Sequence, residues 1–180
     1  MANFAKQLAQ IKSRQPTPSE VVLILAKEII ELFELLRRLT LLCPVGLRNA
    51  ARALKMHFEH NHEIDGNAAI DKVAKIFTQL FLIPSLRHPG DFGIRGKSLF
   101  SNLLLGSKSK NECIFFLELC NGELTPIRTV AIKLLKCFTA ENPVPQLQTL
   151  AEGDVTGLVD KIQTAMHTFM RDMTVSCIFS

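Results

Sequence analysis

The stretch TPSEVVLILAKEIIELFELLRRLTLL, residues 17–42, decides the fold class. Thr17 reads as an N-cap, Pro18 as the first helical residue, and Glu20 as the side chain that completes a capping box. Beyond it, apolar residues return at helical spacing, with Val21, Leu25, Ile29, Leu32, Leu36 and Leu39 on the side to be buried. This predicts a helix running to about Leu41. Its longest unbroken apolar run, residues 21–26, falls far short of the roughly 18 that a membrane span needs.

Working outward, the same period recurs almost everywhere. An amphipathic helix is expected over residues 2–12, too polar to be the apolar heart of a secretory signal. Pro44 opens a helix reaching about His60, and Asp65 and Gly66 mark a turn. A strongly apolar helix then covers residues 68–82, stopped or kinked by Pro84. After a Gly- and Pro-bearing loop, HPGDFGIRGKS at residues 88–98, helices are expected over 99–105, 111–120 and 126–139. Asn121 and Gly122 stop the second of these, and Thr125 with Pro126 starts the third. Pro143 and Pro145 break the chain, and Asp154 caps a last helix ending near Met173. No repeat, low-complexity segment or long linker interrupts this order. The expectation is all-α, a single helical domain over residues 1–173 with a tail at 174–180.

Composition agrees. At 180 residues the chain is long enough for one sizeable core, and 47% apolar with 21% charged residues is globular rather than disordered. Trp and Tyr are absent and Leu dominates, a balance that leans away from strands. The net charge of +4 comes from scattered basic residues with no stripe interleaved with aromatics, so nucleic acid is not an expected partner. Five cysteines (Cys43, Cys113, Cys120, Cys137, Cys177) form no CxxC pair, which points to free thiols in a reducing, intracellular compartment rather than to a zinc site.

Few residues carry chemistry of their own. His57, His60 and His62 stand near Glu59, Glu63 and Asp65, and two imidazoles three apart on a helix can share a metal. The same pattern is also that of a polar helix end, where imidazolium suits the C-terminal dipole. The spacing matches no established ligand set, so no metal is expected. Arg95 to Ser98 reads RGKS, but a phosphate loop needs Gly where this chain has Asp91, and no apolar strand precedes it. No nucleophile motif such as GxSxG occurs, and no cofactor is implied.

The last four residues, Cys177, Ile178, Phe179 and Ser180, fit the C-a-a-X pattern for prenylation, with a terminal Ser that favours farnesyl. The expected partners are then a protein prenyltransferase and, through lipidated Cys177, the cytoplasmic face of a membrane. One prenyl chain binds a bilayer only marginally, so a second signal or a partner is required.

Two segments carry a family resemblance. FLIPSLRHPGDFGI, residues 81–94, resembles the signature of Ras GTPase-activating (RasGAP) domains, roughly F-L-R-F-I-N-P-A-I-V-S-P-x-x-F-G. With Pro84 on the N-P proline, Pro89 falls on the S-P proline and Phe92-Gly93 on F-G without a gap, while Phe81 and Leu82 match the apolar pair. Upstream, CPVGLRNAARAL from Cys43 resembles the family's C-P-x-x-L-R segment through Cys43, Pro44, Leu47 and Arg48. Over about residues 20–94 the chain is similar to the family, and the rest is compatible as further helices. The resemblance implies the central and C-terminal part of a RasGAP domain and a small Ras-like GTPase as partner. By the same resemblance Phe81, Pro84, Arg87 and Arg95 face that GTPase.

The departures bear on catalysis. RasGAP proteins insert an arginine finger that offsets transition-state charge at the γ-phosphate. In the family the finger lies well upstream of C-P-x-x-L-R, in a segment this chain is too short to contain. The Arg of F-L-R, which steadies the finger loop, aligns with Leu80, and the Asn of N-P with Ile83. The expectation is therefore GTPase binding at a membrane without arginine-finger catalysis. The alternative is a prenylated helical adaptor or effector unrelated to GTPases.

Overall fold

The computed structural model describes residues 17–92, 125–150 and 156–175, and every regular element among them is helical. The expected helices at 2–12, 99–105 and 111–120 lie outside the described residues. Helix α1 spans Pro18–Arg38 and starts as its sequence predicts. The Thr17 hydroxyl accepts from the Glu20 N–H at 3.3 Å, and Glu20 Oε2 accepts from the Thr17 N–H at 3.0 Å. The α-helix stops three residues before the expected Leu41, giving way to a 3-10 turn at Thr40–Leu42. Thr40 explains the change: its hydroxyl donates to the Arg37 carbonyl at 2.7 Å, a local bond that competes with the helical ladder.

Helix α2 spans Val45–His62, with Pro44 as its N-cap, since a residue without an N–H loses nothing there. It ends at Glu63, whose φ of 51° lies in the left-handed region that reverses the chain. Asp65 then caps α3, Gly66–Phe77, accepting from the Asn67 and Ala68 N–H groups at 2.7 and 3.1 Å. The expected turn is thus a cap, and the helix begins two residues earlier than the sequence predicts.

Pro84 does not end this helix. A π turn at Thr78–Leu82 follows α3 directly and leads into α4, Ile83–Arg87, near whose start Pro84 sits. In an α-helix the proline ring meets the carbonyl four residues back and leaves it without a donor. The wider turn, closed by the Ile83 N–H on the Thr78 carbonyl, relieves that clash and keeps the chain helical. Ser85 Oγ donates to the Leu82 carbonyl at 2.8 Å. The fully buried Thr78 hydroxyl has no hydrogen-bond partner among the described residues.

A 3-10 turn covers Pro89–Phe92. Helix α5, Thr125–Thr139, forms as expected. Pro143 and Pro145 start a helix instead of breaking the chain: α6 is Pro143–Gln148, and both prolines fall in its first turn, where their missing N–H groups cost nothing. Helix α7, Thr156–Val175, runs past the Met173 expected from sequence, so Thr174 and Val175 belong to the helix rather than to a tail.

Helix α7 is the hub, packing most broadly along α1 and also against α2 and α3, while α5 covers α1 and α4. The Phe169 ring centroid lies 6.1 Å from that of Phe33 on α1 and 5.4 Å from that of Phe77 on α3. Around it Leu25, Ile29, Leu134, Phe138, Ile162 and Met170 are fully buried in one continuous core. Each such side chain contributes about 1.5–3 kcal/mol by leaving water. On α1 the buried side is broader than the expected one. Leu25, Ile29 and Leu32 are buried, but so are Val22, Ala26 and Phe33, while Val21, Leu36 and Leu39 lie at its edge. Neighbours on two sides, α7 and α5, widen the buried side beyond one stripe, while Lys27, Glu31, Arg37 and Arg38 keep the opposite side in water.

Candidate functional site

Alternation of burial along the π turn and α4 sorts the RasGAP-like segment into two sides. Leu82, Ile83, Ser85 and Leu86 are buried, and α4 packs on α5. Leu80 is 62% exposed and Phe81 41%, Pro84 is half-buried, and Arg87 and His88 are exposed. Phe81, Pro84 and Arg87, named from the sequence, therefore share the uncovered side of one continuous helical run. Arg95 and Cys177 lie outside the described residues. The Phe81 ring stacks on Phe77 at 5.4 Å between centroids, which anchors one face of it while the rest meets solvent. Leu80, named from the sequence only as the place where the family has Arg, lies in the π turn and joins this exposed side.

The C-P-x-x-L-R-like segment builds the corner between α1 and α2. The Pro44 carbonyl accepts from the Leu47 and Arg48 N–H groups at 3.0 and 3.2 Å, Leu47 packs against the core, and Arg48 is buried. Burial pushes the Cys43 thiol pKa up, partly offset by the Arg48 charge. Cys137, on α5, is likewise raised by burial. A thiol held protonated is a poor nucleophile, so neither site is arranged for covalent chemistry.

At the histidine-rich end of α2, His57 and His60 are exposed and bond to groups of their own helix. His60 Nδ1 donates to the Met56 carbonyl at 2.8 Å, and the Asn61 amide donates to His57 Nδ1 at 2.8 Å. Glu59 is engaged by Lys55 at 2.7 Å. Among the described residues no three His, Cys, Asp or Glu side chains converge as a metal site requires. The RGKS fragment lies outside the described residues.

Two polar features escaped the sequence. His167 on α7 and Asp71 on α3 meet at 2.7 Å beside a cleft of about 110 Å³ lined by Asp71, Ala74, Lys75, Phe138, Gln163 and Met166. Lys75 spans from there to the Ala140 carbonyl at 3.4 Å. The pair is 96 residues apart in the chain, so no local pattern signals it. Glu28 is the other: burial, reinforced by Glu31 and opposed by Lys27, raises its pKa from 4.5 to about 7. Among the described residues no helix is long and apolar enough to cross a membrane.

Comparison of the chain with protein-family models, with curated proteins and with solved structures gives no match.

Proposed function

We propose that this chain is a RasGAP-like module that binds a small GTPase at a membrane, without intact arginine-finger catalysis. The observation that carries the reading is the uncovered side of the π turn and α4. There an aromatic ring (Phe81), a half-buried proline (Pro84) and a guanidinium (Arg87) stand together over a buried apolar side. Large apolar anchors beside an arginine are the composition of interface centres. Binding rather than catalysis is favoured because Leu80 and Ile83 stand where the family has Arg and Asn, and Ile83 is in the core. Neither side chain can donate to a developing phosphate charge.

Prenylation of Cys177 supplies the membrane link. The sulfur displaces diphosphate from an isoprenyl diphosphate, forming a thioether and releasing the thiol proton. The tests are separable. GTP-loaded small GTPases are passed over the immobilised chain, and at least one is expected to bind, more weakly to Arg87→Ala and Arg95→Ala. Intact mass after expression in a eukaryotic cell is expected to show the lipid. A mass shift with no GTPase bound favours the prenylated adaptor reading instead.

A further inference from the structure

At one end of the bundle the last turn of α7 meets the corner between α1 and α2. Arg52 Nε on α2 donates to the Thr174 carbonyl at 3.2 Å, and α7 also packs against the Thr40–Leu42 turn. This end is unusually apolar for a surface. Leu41 is 73% exposed, Leu42 68%, and Val175, the final residue of α7, 60%, with Val45 exposed as well. None of them contributes to the core. Exposed large apolar residues gathered at one place mark an interaction surface, not a stability device. Basic side chains border them. Arg37 and Arg38 close α1 one turn before Leu41, both exposed, and Arg171 is exposed one turn before Val175. Two of these arginines also face acids, Arg37 with Glu34 at 3.3 Å and Arg171 with Asp172 at 3.7 Å, but both pairs are solvent-exposed and therefore weak enough for a lipid phosphate to compete with.

We propose that this corner lies on an anionic lipid bilayer, with Leu41, Leu42, Val45 and Val175 entering the headgroup boundary and Arg37 and Arg38 facing lipid phosphates. Two observations select a membrane over a protein partner. Val175 is two residues from Cys177, so the backbone that carries a lipidated sulfur lies within about 7 Å of the end of α7. A single prenyl chain holds a protein only marginally, and a basic, apolar contact beside it is the kind of second signal that makes anchoring stable. Apolar insertion and attraction to anionic headgroups add in the same geometry. The inference rests on the membrane placement proposed above, but the surface itself acts without the lipid.

The test therefore uses the full chain carrying no lipid, with phosphatidylcholine vesicles prepared with and without phosphatidylserine. The wild-type chain is expected to partition onto the phosphatidylserine vesicles about tenfold better than onto the neutral ones. Leu41→Ser with Leu42→Ser is expected to lower that partition roughly tenfold. Arg37→Gln with Arg38→Gln is expected to remove the preference for phosphatidylserine, and Cys177→Ser to change nothing. Arg37, Arg38, Leu41 and Leu42 are exposed, and thermal melts check that their variants fold. No partition of the wild type, or equal partition of the leucine variant, overturns the proposal and leaves the anchoring role of Cys177 standing. Loss of GTPase binding in the leucine variant with vesicle binding intact overturns it in favour of a protein partner at this corner.

Discussion

Phe77 on α3 and Phe169 on α7 meet edge to face, with ring centroids 5.4 Å apart and an interplanar angle of 63°. Phe169 also faces Phe33, and Phe77 stacks on Phe81, so one chain of rings runs from the centre of the core to the exposed side of the π turn. Packing at Phe169 therefore supports both the fold and the position of Phe81. Phe169→Ala is expected to cost about 3–5 kcal/mol, the range for removing a fully buried ring. Chemical denaturation of the two proteins measures it.

Thr78 should behave in the opposite way. Its hydroxyl is fully buried with no hydrogen-bond partner among the described residues, and an orphaned polar group costs about 1–3 kcal/mol. Thr78→Val keeps the shape and removes the polar atom. A gain of about 1 kcal/mol is expected in the same denaturation experiment, and a loss would mean that the hydroxyl has a partner.

The cap of α1 is worth about 1 kcal/mol. Thr17→Ala removes the acceptor for the Glu20 N–H and leaves the Glu20 side chain without its reciprocal arrangement. Thr17→Ser, which keeps the oxygen, should lose almost nothing. Thermal melts of the pair separate the cap from any effect of side-chain size.

Glu28 gives the chain a pH dependence of definite sign. Its folded pKa, about 7, lies above the ordinary 4.5, so between those values the folded state holds a proton that the unfolded state releases. Its stabilising contribution is complete below 4.5 and is lost as pH rises through about 7. The side chain is half-exposed, and solvent screening holds the loss to on the order of 1 kcal/mol. Glu28→Gln is expected to match the wild type at pH 4 to 5 and to exceed it above pH 8, and melts at both ends of that window check the crossing.

These effects also mark what sequence can carry. The Thr17–Glu20 cap and the Asp65 cap are local, each closed within three residues, yet only the first was legible as a helix start; Asp65 read as a turn because the apolar period begins two residues later. Of the two outcomes expected at Pro84, a stop or a kink, the stop does not occur, because the rule that proline ends a helix assumes an α ladder and the π turn before it changes the ladder. Pro143 and Pro145 misled, since proline is unfavourable inside a helix and favourable in its first turn. The Asp71–His167 pair depends on how α3 meets α7, which no local pattern encodes. At the candidate site, Phe81, Pro84 and Arg87 were chosen from a family resemblance. The exposure of Phe81, Arg87 and Leu80, with Pro84 half-buried between them, follows from where α5 covers α4 and the widened turn.

The most direct measurement of the central proposal is the affinity of the chain for a panel of GTP-loaded small GTPases, with Phe81→Ser and Arg87→Ala in parallel. Phe81 and Arg87 are exposed, so both variants should fold. At least one GTPase is expected to bind, with each substitution weakening it by roughly tenfold, as for a residue at an interface centre. Absence of binding across the panel, or binding that both variants leave unchanged, contradicts GTPase recognition by this surface.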